Sequence, residues 1–307
     1  MAKLRLSELY PLQSHVEILL NGIWQAGIVA SHQHPAIWVV DEEGHAWFVT
    51  NRQRIRPYTP QPMKPEVAQQ LIDLNRDFYD HLADPFARSR VAPQPGFAHL
   101  LDWLPQPCQR VLDVGCGNGR FGHFLQQQGV SVEYVGVDFS PPLLDKAQAQ
   151  HPPGEFYARD LSQPDCLAGL GQFDLVVCLA VMQHIPGQAN RQRLLGEMGQ
   201  QLAENGRIFL ANWQFMDSPR QRRKRQDWSE IGLSSRDVEA NDHLLNWQRG
   251  GYGLRYVCQI DAAETAVLAH ATQLHTLHQF RSDGKEGNLS LYTILAHLES
   301  SAANAKI

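Results

Sequence analysis

The stretch VLDVGCGNGRFG, residues 111–122, decides the fold of this chain, together with VGVDFS at residues 135–140. The first apolar run ends in a glycine-rich turn, and the second ends in an acid, Asp138, that lies 19 residues after Gly119. A glycine turn between a strand and a helix lets the backbone approach a ligand closely, and the helix points its N–H groups at negative charge. The two runs therefore predict a nucleotide-type binding site at the ends of two strands.

The spacing of the turn argues against a dinucleotide cofactor. Its glycines, Gly115, Gly117 and Gly119, read G-x-G-x-G, whereas the dinucleotide fingerprint reads G-x-G-x-x-G. Position 120 is arginine, and Gly122 cannot restore the register. A NAD-type fold and a purely structural turn remain as alternatives to another nucleotide-like cofactor.

Length and composition describe a globular chain with room for two domains. Of its 307 residues, 43% are hydrophobic and 19% are charged, which is enough apolar material to bury a sizeable core. The net charge of -5 offers no global attraction to nucleic acid, so any such attraction must come from local patches.

Compartment and metal content are also constrained by the sequence. The N-terminus lacks a signal-peptide core and no apolar run is long enough to cross a membrane, so we expect a cytoplasmic protein with no membrane partner. The five cysteines are scattered and form no C-x-x-C pair. Neither a disulfide framework nor a thiolate zinc site is predicted, and we expect no metal site.

Residues 1–58 have the pattern of a small all-β domain. Short β-like runs alternate with turn sequences, which is typical of an SH3-like or Tudor-like barrel. Trp24, Trp38, Trp47 and Phe48 are expected to fill its core, and an aromatic recognition pocket is the alternative. Residues 59–70 begin with a proline-rich segment and are expected to form an extended linker.

Residues 71–300 predict an α/β domain. From Arg110 onward, apolar strand-like runs alternate with helical segments, which is the signature of a Rossmann-like, doubly wound sheet. Five such runs are followed by residues 274–283 and 289–298, which we expect to complete a seven-stranded sheet as an antiparallel pair. Asp261 and Glu264 are spaced as a capping box for the helix before that pair.

The run VLDVGCGNGRFG resembles motif I of the class I S-adenosylmethionine (SAM) methyltransferases. In that family the turn holds the methionine half of SAM, and acids after the second and third strands bind the ribose hydroxyls and the adenine amino group. The end of the fourth strand lines the methyl-transfer channel. The resemblance implies cofactor contacts at Asp113, Gly115, Cys116, Gly117, Asn118, Asp138, Phe139, Asp160, Leu161 and Leu179.

The flanking segments, residues 74–96 and 242–264, resemble the tRNA wobble-uridine carboxymethyl methyltransferase family. That family esterifies the carboxylate of a 5-carboxymethyl group, so the resemblance implies O-methylation with tRNA as partner. Some members use a small activating protein. The resemblance places Tyr79 and Arg90 at the cofactor, and His184, Arg255 and Tyr256 in the catalytic site.

Two positions depart from the pattern of that family. Cys258 stands where the later motif usually has histidine, and Gln183 precedes His184 where the family often has a second histidine. Both departures concern the acceptor rather than the cofactor. A small-molecule carboxylate or hydroxyl is therefore kept as an alternative acceptor, and a SAM-holding binding module without turnover as an alternative of another class.

A carboxylate acceptor would make a general base unnecessary. It is ionised near pH 7, so attack on the methyl group needs positioning more than proton removal. A cation, Arg255 or Arg90, is expected to orient it or a neighbouring phosphate. The alternative roles are structural: Arg90 holds the SAM carboxylate or pairs within the N-terminal cap, His184 caps a helix, and Tyr256 packs in the core.

Local positive charge is concentrated in PRQRRKRQ, residues 219–226, which holds five cations. Such a run could hold RNA phosphates, or it could be a solvated face. Arg52, Arg54 and Arg56 alternate, so on a strand all three would project from one face. They would then extend an RNA track or form a charged edge that discourages aggregation.

Overall fold

The computed structural model describes residues 5–12, 14–41, 44–57, 62–88, 92–151, 153–248 and 250–298. The chain divides into two compact units, Met1–Gln61 and Pro62–Ile307. Each unit has its own sheet and its own hydrophobic core.

The N-terminal unit consists of a short helix and a five-stranded antiparallel sheet. The helix is α1 (Leu6–Leu9), and the strands are β1 (His15–Leu20), β2 (Ile23–Gln33), β3 (Ala36–Asp41), β4 (Ala46–Val49) and β5 (Ile55–Pro57). The strand order is β4-β3-β2-β1-β5, so β1 pairs with both β2 and β5. The expected all-β character of this region is confirmed as an antiparallel sheet.

The core of this sheet is aliphatic, and the prediction that aromatic rings fill it is wrong. Inward-facing residues such as Val16 and Ile18 on β1 are fully buried. Trp38 and Phe48 are a cross-strand pair outside that cluster, with ring centroids 5.0 Å apart. Phe48 is 50% exposed and Trp47 is 36% exposed. Aliphatic side chains alternate inward along the strands, which leaves the rings on or near the surface.

The three alternating arginines do not share a strand face. Arg52 and Arg54 lie in a 3-10 helix that Asn51 caps, and only Arg56 lies on β5. The guanidinium of Arg56 stands 4.2 Å from the centroid of the Trp24 ring. The expectation of one charged strand face is wrong, because the Asn51 side chain starts a helical turn there.

Helix α2 begins inside the stretch expected to be an extended linker. It spans Pro65–Arg88 with a kink at Leu82, so residues 65–70 are helical. Proline suits the first position of a helix, where its missing N–H would have no intrahelical partner. The expected linker residues 59–61 lie outside the described part of the chain.

The C-terminal unit alternates strands and helices, as predicted. After α2 and α3 (Pro95–Leu100) the chain continues with β6 (Arg110–Val114), α4 (Arg120–Gln127), β7 (Glu133–Asp138), α5 (Pro141–Gln150), β8 (Glu155–Ala158), β9 (Phe173–Leu179), α6 (Gln188–Gln200) and β10 (Leu202–Trp213). It ends with α7 (Pro219–Arg222), β11 (Arg225–Gln226), β12 (Asp242–Trp247), β13 (Gly253–Cys258), α8 (Ala262–Ala271), β14 (Leu274–Ser282) and β15 (Ser290–His297).

Seven of these strands form one mixed sheet in the order β14-β15-β10-β9-β6-β7-β8. Strands β6 to β10 pair in parallel, whereas β15 is antiparallel to both β10 and β14. This arrangement confirms the Rossmann-like α/β sheet and its antiparallel final pair. Because β6 has β7 on one side and β9 on the other, a crevice is expected at the carboxyl end of β6.

Both faces of this sheet are buried. Along β6, Val111 belongs to one hydrophobic cluster, and Leu112 and Val114 belong to another. Alternating residues of a strand point to opposite faces, so helices must cover both sides. The buried sheet holds the strand ends rigidly at the crevice.

A second, smaller sheet, β11-β12-β13, lies between β10 and α8 and is not predicted from the sequence. Strands β12 and β13 pair antiparallel, and β11 adds two residues at the edge. A two-residue strand has no periodicity to detect. The sequence signal in residues 242–264 is their resemblance to the wobble-uridine family, which does not predict a separate sheet. The basic run of residues 219–226 and Arg255 both belong to this part of the chain.

A buried arginine joins the small sheet to the helices of the main one. Arg191 on α6 is 2% exposed and donates to Glu239 at 2.7 Å and to Glu264 on α8 at 3.3 Å. It also donates to the hydroxyl of Tyr256 on β13 at 3.3 Å. A buried cation is tolerated only when such partners compensate its lost hydration.

Replacing Arg191 with Met is expected to lower the free energy of unfolding by about 3–5 kcal/mol, because two mostly buried carboxylates lose their cation. Urea denaturation measures the change. Arg281→Met is the matched control, since its pair with Asp217 at 2.9 Å is largely exposed and should be worth less than about 1 kcal/mol. Equal losses in the two variants would contradict a special role for the buried arginine.

Candidate active site

The glycine turn between β6 and α4 is held by the neighbouring strand β7. The N–H groups of Gly115 and Cys116 both donate to the carbonyl of Val137, at 2.8 and 3.0 Å. Gly115 and Gly117 have φ angles of 76° and 55°, which favour glycine. A Cβ at Gly115 would lie 2.4 Å from the Val181 side chain, whereas one at Gly117 would meet nothing within 4 Å. The turn is thus packed on one side and open on the other.

A pocket opens at this turn, at the carboxyl ends of β6, β7, β8 and β9 and against α2. Its wall contains most of the side chains that the methyltransferase resemblance implies for SAM: Gly115, Cys116, Gly117, Asn118, Asp138, Phe139, Asp160, Leu161 and Leu179. Tyr79 and His184 also line it. The fold therefore brings together residues from several separate segments of the sequence.

Asp138 closes one side of the turn from the end of β7. Its carboxylate accepts from the N–H of Gly117 at 2.9 Å and from the N–H of Ser140 at 3.0 Å. Burial raises the pKa of Asp138, and these backbone hydrogen bonds partly offset that rise. A carboxylate offers about four lone-pair sites, so Asp138 can also accept a hydrogen bond from a ligand.

Asp160 stands at the end of β8 with its carboxylate already engaged. One oxygen accepts from the N–H and hydroxyl of Ser162, at 3.0 and 2.6 Å. The other accepts from Arg76 of α2 at 2.9 Å. This ion pair connects α2 to the end of β8 and so forms part of the pocket wall.

Asp113 lies behind the pocket wall rather than in it, although the resemblance implies a cofactor contact. It is 3% exposed and accepts a hydrogen bond from the hydroxyl of Tyr134. Burial raises the pKa of Asp113 to about 7, and the repulsion of Asp138 adds to the rise, while the Tyr134 hydrogen bond opposes it. Asp113 therefore supports the turn from beneath.

His184 and Tyr79 form a hydrogen-bonded pair in the pocket wall. The part of the wall around this pair is called the acceptor end below. The Nδ1 of His184 lies 3.2 Å from the carbonyl oxygen of Tyr256, so Nδ1 carries the hydrogen. Its Nε2 then accepts from the Tyr79 hydroxyl at 3.1 Å. The ring of Trp213 packs edge-on against His184, with centroids 5.9 Å apart. These contacts fix one orientation of the imidazole.

Arg255 lies directly behind this pair. It is 3% exposed, hydrogen-bonds the Tyr79 hydroxyl, and stands 4.9–5.5 Å from the ring centroids of Phe78, Trp213 and Trp247. Burial lowers the pKa of the guanidinium. Its Nε and Nη1 have no hydrogen-bond partner, and among the described residues no carboxylate pairs with it. Because a buried cation without a counter-ion is costly, the surrounding aromatic rings and the Tyr79 hydroxyl are the groups that compensate this charge within the described residues.

Tyr256 is absent from the residues that line the pocket. Tyr256 is fully buried and donates its hydroxyl to Asp242 at 2.7 Å, so the prediction of a direct catalytic contact is corrected to a supporting role. Its backbone does that work: the carbonyl holds His184, and Asn75 of α2 bonds both its N–H and its carbonyl. Arg90 lies outside the described residues.

Sequence reasoning missed part of the pocket wall. Ile72, Asn75 and Arg76 line the pocket beside the predicted Tyr79, on one side of α2 at the helical spacing of three and four residues. That spacing around Tyr79 is the signal that could have identified them. Arg120, the residue after the third glycine, also lines the pocket and forms no ion pair with a described residue, so it could hold the carboxylate of a ligand.

Two kinds of feature are absent from the described residues. No group of three or more histidine, cysteine, aspartate or glutamate side chains in the described ranges could hold a metal ion. In the same part of the chain, no helix has the length and apolarity needed to cross a bilayer.

Asp113→Asn is expected to change how stability depends on pH. The folded-state pKa of Asp113, about 7, lies above its unfolded value of about 3.9, so the folded protein keeps a proton that the unfolded chain releases. Between pH ~5 and pH ~8, the free energy of unfolding of the native sequence should fall by about 2–3 kcal/mol relative to that of the variant.

Urea denaturation of both proteins at several pH values measures this difference. Asn keeps an acceptor for the Tyr134 hydroxyl, so the buried hydrogen bond is retained in the variant. Parallel pH profiles would show that Asp113 is ionised in the folded protein and would contradict the prediction.

Comparison with known proteins agrees with the methyltransferase resemblance of the glycine turn. The family model described as a methyltransferase domain matches residues 112–208. A protein of Encephalitozoon cuniculi (strain GB-M1) that is named as a methyltransferase is 32% identical over 210 residues, which cover 65% of this chain and 90% of that protein.

Two further relatives match a smaller share of their own length. The ubiquinone biosynthesis O-methyltransferase of Azoarcus sp. (strain BH72) is 29% identical over 154 residues, 48% of this chain and 62% of that protein. The tRNA (carboxymethyluridine(34)-5-O)-methyltransferase of Arabidopsis thaliana is 27% identical over 139 residues, 44% of this chain and 31% of that protein.

Solved structures share the fold at low sequence identity. A SAM-dependent methyltransferase from Clostridium acetobutylicum ATCC 824 has a TM-score of 0.51 and 14% identity, over 73% of this chain and 99% of that one. The magnesium protoporphyrin IX methyltransferase of Synechocystis PCC 6803 with bound SAH has a TM-score of 0.53 and 16% identity, over 74% and 99%. The relative from Encephalitozoon cuniculi, this fold and the pocket at its glycine turn together show that the chain belongs to the SAM-dependent methyltransferases.

Proposed function

We propose that this enzyme transfers the methyl group of SAM to a carboxylate, and that this carboxylate is the carboxymethyl group of a wobble uridine in tRNA. The observation that carries the proposal is Arg255, a buried cation with no carboxylate partner among the described residues. One hydrogen bond separates it from Tyr79 on the pocket wall. In a site of low dielectric its charge favours an anionic acceptor more strongly than it would in water.

The pocket fits SAM on its own geometry. The turn is open at Gly117, where the methionine half would lie, and Asp138 has lone pairs left for ribose hydroxyls. Asp160 and Leu161 would contact the adenine, and Arg120 would hold the methionine carboxylate. When bound, SAM would supply an electrophilic methyl group on a sulfonium, so that an oxygen lone pair forms the new O–CH3 bond while the S–CH3 bond breaks and its electrons stay on sulfur.

The residues at the acceptor end position the acceptor rather than deprotonate it. A carboxylate is already ionised near pH 7, so no proton has to leave before it reacts. The Nε2 of His184 accepts from Tyr79, whose hydroxyl in turn contacts Arg255. This chain of hydrogen bonds holds the wall in one orientation, and a fixed orientation is what a reaction without a general base requires.

The tRNA acceptor is supported by the flanking segments of the sequence. Residues 74–96 and 242–264, which contain Tyr79 and Arg255, resemble the wobble-uridine family, and the Arabidopsis thaliana relative is named for a tRNA carboxymethyluridine. The structure adds that these distant segments meet, because Asn75 bonds the backbone of Tyr256. Both segments therefore contribute to one acceptor end.

A small-molecule acceptor is the second candidate, and the ubiquinone biosynthesis O-methyltransferase relative favours it. A hydroxyl acceptor would have to lose a proton. The Nε2 of His184 is the nitrogen that could take that proton, once the Tyr79 hydroxyl has turned away from it. The two candidates thus differ in the role of His184. It orients Tyr79 when the acceptor is a carboxylate, and it accepts a proton when the acceptor is a hydroxyl.

For the rest of the chain we propose a small SH3-like barrel over residues 1–58 that serves as a recognition module, ahead of the catalytic domain at residues 71–300. The return of β5 to pair with β1 after a 3-10 turn supports that architecture. The exposed ring of Phe48 beside Trp38 supports a recognition role. The five free cysteines suit the cytoplasm, where thiols stay reduced.

Arg255→Met is expected to lower kcat/KM for an anionic acceptor by about 10- to 100-fold, because the variant removes a positive charge one hydrogen bond behind the pocket wall, and a charge-assisted interaction is worth about 1.5–3 kcal/mol. The affinity for SAM, measured by calorimetry, should not change, because Arg255 is absent from the wall at the glycine turn. Methionine keeps an apolar stem among Phe78, Trp213 and Trp247. Arg255→Lys is the matched control and should retain more activity than the methionine variant. Full activity in Arg255→Met would remove the observation on which the proposal rests.

The decisive experiment follows labelled methyl from SAM into deproteinised total tRNA, beside a metabolite extract, with mild alkali applied to the product. Label that enters tRNA and is released as methanol identifies a methyl ester and supports the proposal. Alkali-stable label in tRNA would reject the ester but keep the RNA acceptor. Label confined to small molecules would favour the second candidate.

A further inference from the structure

We infer that the exposed arginines of residues 219–226 form a docking surface for the phosphate backbone of the polynucleotide that carries the methyl acceptor. The inference deepens the proposed function and rests on it for the identity of the acceptor. We call these residues the basic run.

The basic run presents unneutralised charge. Arg220, Arg222, Arg223 and Arg225 are exposed, and none of them has an acidic partner among the residues that the structure describes. The contact of Arg222 is with a neutral group, the carbonyl oxygen of Met216, at 2.6 Å. Like charges this close repel each other, so an anionic partner gains free energy by neutralising them.

The acids next to the basic run are already engaged. Asp217 pairs with Arg281 at 2.9 Å. The carboxylate of Asp227 accepts from the N–H of Ser229 at 2.8 Å and so caps the next 3-10 helix. Neither acid forms an ion pair with the basic run among the described residues.

The basic run is joined to the strand that carries Arg255. Arg225 on β11 pairs with Leu245 on β12, and Leu245 pairs with Arg255 on β13. The carbonyl of Lys224 also accepts from the N–H of Asn246, at 3.0 Å. Neighbouring strands lie about 4.8 Å apart, so the backbone of Arg225 is about 10 Å from that of Arg255. A nucleotide whose carboxymethyl group reached the acceptor end would bring its flanking phosphates close to this run.

A membrane surface is the other polyanion to consider, and the run is poorly suited to it. Interfacial helices insert an apolar face beside their cations, whereas residues 219–226 contain only proline, arginine, glutamine and lysine. The helical part of the run, α7, has four residues. A surface of cations without an apolar face fits a phosphodiester backbone better.

The test measures binding of fluorescein-labelled tRNA to the full chain across a range of salt, for the native sequence and for Arg220→Gln/Arg223→Gln/Arg225→Gln. Arg222 is retained because it bonds the backbone. The slope of log K against log salt should become shallower by about 2–3 in the triple variant, as expected for three lost phosphate contacts. The KM for tRNA should rise about tenfold or more near 0.15 M salt, with kcat and SAM affinity unchanged.

Two further variants keep the test specific. Replacing the same three arginines with lysine keeps the charge and should restore most of the salt slope. Lys64→Gln/Arg236→Gln/Lys285→Gln removes three exposed cations outside the run, and its slope should match that of the native sequence. Circular dichroism and thermal unfolding confirm that each variant is folded.

The outcomes separate this inference from the proposed function. An unchanged salt slope in the glutamine variant, with tRNA still methylated, overturns the docking surface and leaves the function intact. Arginine-dependent tRNA binding with label only in small molecules supports the surface and overturns the acceptor. Loss of binding to vesicles of anionic phospholipid, with tRNA binding unchanged, would overturn the inference in favour of a membrane.

Discussion

The carbonyl oxygen of Val137 accepts hydrogen bonds from two consecutive N–H groups, those of Gly115 and Cys116. This pair of bonds ties the glycine turn to the end of β7 and so sets the distance between the turn and Asp138. The carboxylate of Asp138 then accepts from the N–H of Gly117, so three hydrogen bonds hold the turn against the end of β7. The shape of the pocket at the turn depends on this backbone geometry. Glycine permits it, whereas a Cβ at Gly115 would clash with the side chain of Val181.

Two buried arginines show how differently the same side chain can be used. Arg191 is surrounded by acids and a hydroxyl, so it acts as a structural connection between α6, α8 and the small sheet. Arg255 is surrounded by aromatic rings, and no carboxylate among the described residues neutralises its charge. Tyr256 links them, because its hydroxyl accepts from Arg191 and its carbonyl holds His184, which pairs with Tyr79 beside Arg255. A continuous chain of contacts thus connects Arg191 to the acceptor end of the pocket.

Much of the main sheet could be predicted because its signals are local. Apolar runs, glycine turns and acids at strand ends identify β6, β7 and β8, and with them Asp138 and Asp160. The positions of Tyr256 and Arg255 could not be predicted in this way, because their burial depends on partners such as Asn75, which lies 181 residues from Tyr256 in the chain. The aromatic residues of the N-terminal unit were assigned to the wrong side for a related reason. Composition names candidate core residues, but strand register decides which of them face inward.

The small sheet between β10 and α8 has a consequence for how this protein could diverge from its relatives. The turn and the acids that line the pocket all precede β10 in the chain, whereas Arg255 and the basic run lie in one continuous segment between β10 and α8. Substitutions confined to that segment can therefore alter the surroundings of Arg255 and the basic run in evolution without touching the pocket-lining acids. Arg191 limits such changes, because a segment without an acid at the place of Glu239 would leave this buried cation with Glu264 as its remaining carboxylate partner among the described residues.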